Sequence, residues 1–138
     1  AGTNWLSPFQ VGRNRDDEVY QEVARLQQAG FSAAPIPNRR LTVQGQNYKM
    51  NGEEYSRFLD LYGNEIKING LSAKQALDKL VASPRYGLMY DEERAEAIKA
   101  TLTVYGKQAR KRMVEGDDKI RNALNVRNKG MNFFFGLN

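Results

Sequence analysis

The sequence predicts a mostly α-helical fold, in which four to five helices form one small domain. Apolar residues recur at helical spacing in several segments, and residues that favour helix starts stand before most of these segments. The chain has 138 residues, 41% of them hydrophobic, which is enough to bury the core of one domain. We expect an extended arm over residues 1–15, the helical domain over 16–128 and an apolar tail over 129–138.

The first helix is expected to begin at Asp16 or Asp17 and to continue through Ala29. Its apolar residues fall on one face, as is typical of an amphipathic helix. These residues are Val19, Tyr20, Val23 and Leu26. Two prolines then interrupt the helical pattern, and residues 31–49 partly alternate apolar and polar side chains. We interpret that segment as a connector with short β-strands around Gly45.

Two middle helices are marked by their caps. Asn51 is a favourable N-cap, and the helix after it is expected to stop where Gly63 and Asn64 adopt a left-handed conformation. Ser72, followed three residues later by Gln75, forms a capping box that predicts the start of the next helix.

The longest helix is predicted from Asp91 to about Glu115. Its apolar residues recur every three to four positions for more than four turns. They are Ile98, Leu102, Tyr105, Ala109 and Met113. Gly106 interrupts this helix at a cost of about 1 kcal/mol relative to alanine, so it marks either a bend or a close contact with another helix. A final short helix is expected to begin at Asp117 or Asp118.

Composition excludes most catalytic chemistry. The chain has no cysteine and no histidine, which supply nearly all structural zinc sites and most nucleophile–base pairs of acyl transfer. The carboxylate clusters, such as Glu53-Glu54 and Asp91-Glu92-Glu93, stand at predicted helix starts, where the helix dipole favours negative charge. We therefore predict no catalytic residue, metal ion, cofactor or small-molecule substrate. A peptidoglycan-cleaving enzyme that uses Glu53 or Glu92 remains as an alternative.

The positive charge of the chain is concentrated near its end. The formal net charge is +5; residues 99–138 contain nine basic and three acidic residues, whereas the first 98 residues contain twelve basic and thirteen acidic ones. Such asymmetry indicates attraction to nucleic acid or anionic lipid, or else the solvated face of an ordinary helix. Basic residues near a helix end also complement its negative dipole. The candidate phosphate contacts are Lys107, Arg110, Lys111, Arg112, Lys119 and Arg121.

A second basic group lies in the connector. Arg39 and Arg40 are adjacent, and neighbouring side chains of an extended chain point in different directions. We interpret these two arginines as exposed residues rather than as one phosphate site.

Large apolar side chains stand in both terminal segments. Exposure of such a side chain forfeits about 1.5 to 3 kcal/mol of burial free energy, so we expect the arm and the tail to contact a partner or to pack on the domain. The candidate partner contacts are Trp5, Leu6, Phe9, Phe133, Phe134 and Phe135. The tail is also a candidate for contact with a membrane interface. No apolar run is long enough for a transmembrane helix, and the first twenty residues lack the features of a signal peptide.

Three elements follow one another in a recognisable order. The first is a helix with a Glu-Glu-Tyr start and a Tyr-Gly stop, in NGEEYSRFLDLYGNEI. The second is a helix end of the form leucine-hydrophobic-x-Ser-Pro-x-Tyr, in LVASPRY, and the third is an acid-capped long helix with basic last turns, in YDEERAEAIKATLTVYGKQARKRM. Over residues 16–115, this succession resembles the C-terminal helical region of very large phage and prophage proteins. Those are the polyvalent or internal virion proteins, which are packaged in the capsid and ejected with the genome.

The resemblance implies a non-catalytic structural module that acts in virion assembly or genome ejection. Its implied partners are other virion proteins or a second copy of the chain, with DNA and the host envelope as further partners. The implied location is the virion and the bacterial host. Many proteins of this kind carry a lytic transglycosylase or another enzyme upstream. This chain continues past Val114 with material that the resemblance does not include.

Overall fold

A computed structural model of the protein describes residues 17–124, which are mostly helical, as predicted. The elements in chain order are α1 (Glu18–Gln28), β1 (Arg40–Val43), β2 (Gln46–Lys49), α2 (Gly52–Asp60), a π-helical segment (Leu61–Glu65), α3 (Ala73–Ala82), α4 (Pro84–Gly87), α5 (Asp91–Gly116) and α6 (Asp118–Ala123). The single-turn α4 was not predicted. It forms because Ser83 accepts a hydrogen bond from the Tyr86 N–H and because proline is tolerated in the first helical turn. The predicted arm and tail lie outside the described residues.

The long helix α5 provides the surface on which most of the other elements pack. It contacts α1, α2, the π-helical segment, α3 and α6. Its predicted apolar face is confirmed, since all five predicted residues are buried. The buried residues of α5 are Ala95, Ile98, Leu102, Tyr105, Gly106, Ala109, Met113 and Val114. The core of the domain therefore lies along one side of α5.

Side-chain caps fix the starts of the other helices where the sequence predicted them. Asp17 accepts hydrogen bonds from the first backbone N–H groups of α1, at 2.9 and 3.1 Å. Asn51 and Glu54 form a reciprocal capping box at α2, each accepting a backbone N–H at 2.8 Å. Ser72 and Gln75 form the predicted capping box at α3. Each of these contacts satisfies backbone donors that a helix start leaves unpaired.

The end of α2 differs from the prediction. Gly63 does not take a left-handed conformation; instead the chain continues as the π-helical segment, in which the Ile66 N–H donates to the Leu61 carbonyl oxygen, five residues back, at 3.1 Å. The reason is burial: Tyr62 and Gly63 are both buried in this segment. A turn at Gly63 would take the Tyr62 ring away from the core.

Tyr62 packs directly on Gly106 in the middle of α5. A β-carbon at Gly106 would lie 3.2 Å from Cε2 of Tyr62 and 3.2 Å from Nη1 of Arg110. Of the two interpretations of this glycine, the close contact with another element is therefore confirmed. The ring of Tyr62 also meets Phe58 edge-on, with 5.7 Å between ring centroids.

The connector contains the predicted β-structure. Strands β1 and β2 pair antiparallel through a two-residue turn, in which Gln44 and Gly45 both have positive φ angles, of 51° and 81°. Turns of this kind match the twist of a hairpin. On β1, Leu41 and Val43 point into the core. The sheet therefore covers part of the helical core.

A second tight turn was not predicted. Asn69 and Gly70 also have positive φ angles, of 55° and 80°, and the flanking Ile68 and Leu71 exchange two backbone hydrogen bonds of 2.9 and 3.1 Å. Asparagine followed by glycine is the pair that such turns prefer. This turn reverses the chain between the π-helical segment and α3.

The contact between Tyr62 and Gly106 generates a stability prediction. Gly106→Leu should lower the free energy of unfolding by about 1 to 3 kcal/mol, because the added side chain overpacks the interface with Tyr62. Ala100→Leu is the matched control, since Ala100 is exposed on the same helix and this change should have an effect within about 0.5 kcal/mol. Urea denaturation measures both. Equal stability of the two variants would contradict the close contact.

Candidate nucleic-acid interface

Three of the six predicted phosphate contacts lie on one face of α5. Arg110 and Lys111 follow Lys107 by three and four residues, so the three side chains lie within about a third of the helix circumference, whereas Arg112 is turned about 100° beyond Lys111. Among residues 17–124, no salt bridge joins these four basic side chains to a carboxylate. We call Lys107, Arg110 and Lys111 the basic face. Its charge is therefore available to a ligand.

A groove of about 450 Å³ runs beside the basic face, between α5, the connector and the π-helical segment. It is lined by Pro35, Ile36, Pro37, Asn38, Arg40, Thr42, Tyr62, Thr103 and Arg110. We call this the cationic groove, because both of its charged lining residues are arginines. Its volume lies in the usual range for small-ligand sites, about 300 to 1,000 Å³.

The alternation of β1 brings Arg40 to the groove. Leu41 and Val43 are buried, so Arg40 and Thr42 project from the opposite side of the strand. The prediction that Arg40 is exposed is confirmed. The residues near Arg40 do not predict that it lies opposite α5. That position depends on how the connector packs across a helix that begins about fifty residues later in the chain.

Arg110 contacts the aromatic ring of Phe58. Its guanidinium carbon lies 5.6 Å from the centroid of the Phe58 ring, a cation–π contact. Burial raises the pKa of Tyr62 to about 12, although the charge of Arg110 opposes the rise. Tyr62 is therefore a neutral hydroxyl at neutral pH, and the groove keeps the positive charge of its arginines.

The remaining predicted phosphate contacts have different surroundings. Lys119 Nζ lies 3.8 Å from the Glu54 carboxylate, and it does not line the groove. Arg121 donates to the carbonyl oxygens of Val114 and Glu115 and pairs with Asp118. Arg121 thus satisfies carbonyl groups at the end of α5 and complements the negative end of its dipole. Neither Lys119 nor Arg121 therefore belongs to the basic face.

The predicted apolar contacts in the arm and the tail lie outside the described residues. These are Trp5, Leu6, Phe9, Phe133, Phe134 and Phe135. The described part of the chain exposes another apolar pair: Leu88 and Tyr90 are 86% and 80% exposed, between α4 and α5. Arg94 holds this turn by donating to the carbonyl oxygens of Gly87 and Met89, both at 3.1 Å.

Several carboxylates of the acidic clusters cap the starts of helices. The prediction that they cap helices is confirmed for Asp17, Glu54 and Glu93, whose carboxylates accept hydrogen bonds from backbone N–H groups. Glu53 and Glu92, the two candidates for the enzyme alternative, are exposed residues in the first turns of α2 and α5. Within residues 17–124, no group of three or more carboxylates is placed to hold a metal ion.

One carboxylate, Glu22 of α1, joins three helices. It accepts hydrogen bonds from Arg25 and from the hydroxyl of Tyr86 in α4, and it lies 3.5 Å from Arg94 of α5. The guanidinium of Arg94 also stacks on the Tyr86 ring, at 5.0 Å from its centroid. Burial acts to raise the pKa of Glu22, but the hydrogen bonds from Arg25 and Tyr86 outweigh it and lower the pKa below its ordinary value.

The described residues form a small helical domain with a groove whose charged lining residues are Arg40 and Arg110. Comparison with known protein families, with curated protein sequences and with solved structures finds no match to this chain. In the part of the chain that the structure describes, none of the helices combines the length and the apolar character that crossing a bilayer requires.

The contacts of Glu22 predict a pH dependence of stability. Because its pKa is lowered in the folded state, its contribution is present above the ordinary value of 4.5 and is lost as the pH falls through the folded pKa. Glu22→Gln should therefore lower the free energy of unfolding at pH 7, by about 1.5 to 3 kcal/mol. It should also reduce the loss of stability on acidification below about pH 4.5.

Chemical denaturation at a series of pH values measures this effect. Glu65→Gln, at an exposed position in the π-helical segment, is the control and should leave the acid limb unchanged. The assignment fails if the two variants show the same pH profile.

Proposed function

We propose that this chain is a non-catalytic binding module of a phage virion or prophage protein, and that it binds nucleic acid through the basic face and the cationic groove. The observation that carries the nucleic-acid part is that Lys107, Arg110 and Lys111 have no salt bridge within residues 17–124 and lie beside a groove whose own charged residues are arginines. The phage part rests on the resemblance of residues 16–115 to internal virion proteins.

Nucleic acid suits this surface because phosphate contacts need little beyond positioned lysine and arginine side chains. Neutralising phosphates releases counterions, and this provides most of the free energy of nonspecific binding. The basic face gives one row of such charges along α5, and Arg40 adds a charge from the other wall of the groove. Binding of this kind is independent of base sequence. In a virion it would serve contact with the packaged or ejected genome.

The non-catalytic part of the proposal is supported by the carboxylates. Asp17, Glu54 and Glu93 hydrogen-bond to backbone N–H groups at helix starts, and Glu22 is enclosed by Arg25, Arg94 and Tyr86. A general acid needs a raised pKa and access to substrate. The pKa of Glu22 is lowered, and its contacts are internal.

Charge reversal on the basic face tests the proposal. Lys107→Glu combined with Lys111→Glu should weaken DNA binding by more than about tenfold at 50 mM salt, and should reduce the slope of log affinity against log salt by about two. Lys79→Glu combined with Arg85→Glu is the control, because it changes the net charge equally at exposed positions of α3 and α4. Fluorescence anisotropy with labelled duplex and single-stranded DNA measures the affinity.

Two outcomes count against the proposal. The absence of binding to either form of DNA at about 50 mM salt, where phosphate contacts are strong, would end it. An equal loss of affinity in the two double variants would mean that net charge, and no particular surface, attracts DNA.

A second candidate function is self-association, as expected of a structural virion protein. The observation that favours it is the exposure of Leu88 and Tyr90 on a turn that Arg94 holds in place. Large apolar side chains that are exposed to water gain free energy when an interface buries them. The apolar residues of the arm and the tail, given above, are further candidates for the same contact.

Sedimentation equilibrium over a range of concentrations tests self-association. We expect a mass that rises with concentration for the full chain, and a monomer mass for Leu88→Ser combined with Tyr90→Ser, because these changes remove the apolar area. Chains that lack residues 1–15 or 129–138 separate the contribution of the arm and the tail. A monomer mass for the full chain at every concentration would rule out self-association.

A further inference from the structure

We infer that the cationic groove holds one nucleotide of a single strand, with its phosphate between Arg40 and Arg110 and its base against Ile36. This inference rests on the nucleic-acid binding proposed above and adds the form of nucleic acid that the groove selects. The inference is based on the different chemistry of the two halves of the groove. One half offers arginines from two different elements, and the other offers exposed aliphatic surface.

The anion-binding half is formed by Arg40 and Arg110 from opposite walls. The Arg110 guanidinium already contacts the Phe58 ring, at 5.6 Å from its centroid, which reduces the side-chain freedom that is lost when a ligand binds. A guanidinium forms two parallel hydrogen bonds with a phosphate, and two guanidinium groups on either side of one phosphate define its position. Thr103 also lines the groove, but its hydroxyl donates to the Lys99 carbonyl oxygen at 2.9 Å, so the two arginines are the donors that face a phosphate.

The apolar half is formed by Pro35 and Ile36, which are exposed, and by Pro37, which is buried beside them. Ile36 is 54% exposed, although it stands in a groove with two arginines. A ligand that carries a phosphate alone would leave this side chain in water. An unpaired nucleotide instead carries a flat base, which gains free energy by covering apolar surface.

The combination favours a single strand over a duplex. In a duplex the bases are stacked inside the double helix. The convex outer surface of the DNA therefore presents mainly phosphates to a groove of this kind. In a single strand the base is free to turn toward Ile36 while its phosphate meets the arginines. Lys107 and Lys111 lie about 6 Å apart along α5, one turn from each other, where they meet the phosphates of neighbouring nucleotides.

Binding of a labelled oligothymidylate of about 12 nucleotides, compared with a duplex of the same length, tests the inference. We expect the single strand to bind about tenfold more tightly than the duplex in the same buffer. Ile36→Ser should weaken single-strand binding about fivefold or more and leave duplex binding unchanged, because it removes the apolar surface. Arg40→Gln should weaken single-strand binding by a similar factor without loss of apolar surface.

Matched controls separate this site from general effects. Val104→Ser removes a comparable β-branched side chain, 48% exposed, outside the groove lining, and Arg85→Gln removes an exposed charge from α4. Both should leave single-strand binding unchanged. Thermal denaturation of each variant confirms that the fold is retained, and two independent variants, at Ile36 and at Arg40, keep the test informative if one of them unfolds.

Three results would overturn the inference while the proposed function stands. These are equal affinity for the duplex and the single strand, equal effects of Ile36→Ser and Val104→Ser, or displacement of the oligothymidylate by polyglutamate of matched charge as readily as by unlabelled oligothymidylate. The last result would mean that the groove attracts polyanions by charge alone and selects no nucleotide. Failure of both DNA forms to bind would remove the proposed function as well.

Discussion

The buried face of α5 is the constraint on which the rest of the domain depends. One helix of 26 residues contacts α1, α2, the π-helical segment, α3 and α6, so each of them is placed relative to the others through it. A close approach occurs at Gly106, where the absence of a side chain admits the ring of Tyr62. The same approach brings Arg110 beside Phe58 and so forms one wall of the groove. The position of the candidate site is therefore a result of core packing.

The acidic residues at helix starts connect elements as well as capping them. Asp17 caps α1 and pairs with Lys74 of α3 at 2.9 Å, and Asp117 caps α6 and pairs with Arg57 of α2 at 2.7 Å. Glu54 belongs to a capping box and accepts the hydroxyl of Tyr48 from β2 at 2.7 Å. Carboxylates engaged in this way cannot neutralise more distant cations. These three carboxylates are thus engaged away from the basic face, and among residues 17–124 no salt bridge joins Lys107, Arg110 or Lys111 to a carboxylate.

Local sequence patterns predicted the helix starts and the buried face of α5 because caps and periodic burial depend on residues within a few positions of one another. They also placed Lys107, Arg110 and Lys111 near the end of one helix. The pattern did not predict the π-helical segment, since the preference of Gly63 for a left-handed turn was outweighed by burial of Tyr62 against α5. Nor did it predict the groove, whose walls come from residues 35–42 and from α5, far apart in the chain.

The π-helical segment has a consequence for how this chain can vary. Its hydrogen bond from Ile66 to Leu61 encloses one residue more than the corresponding ring of an α-helix. Loss of a single residue there would restore ordinary helical winding and would rotate Tyr62 by about 100°, away from Gly106 and from the groove. Exchange of an exposed side chain such as that of Glu65 leaves the winding intact, whereas a change in length does not. Related chains that keep the groove should therefore agree in the spacing of this segment and in Tyr62, and differ at its exposed positions.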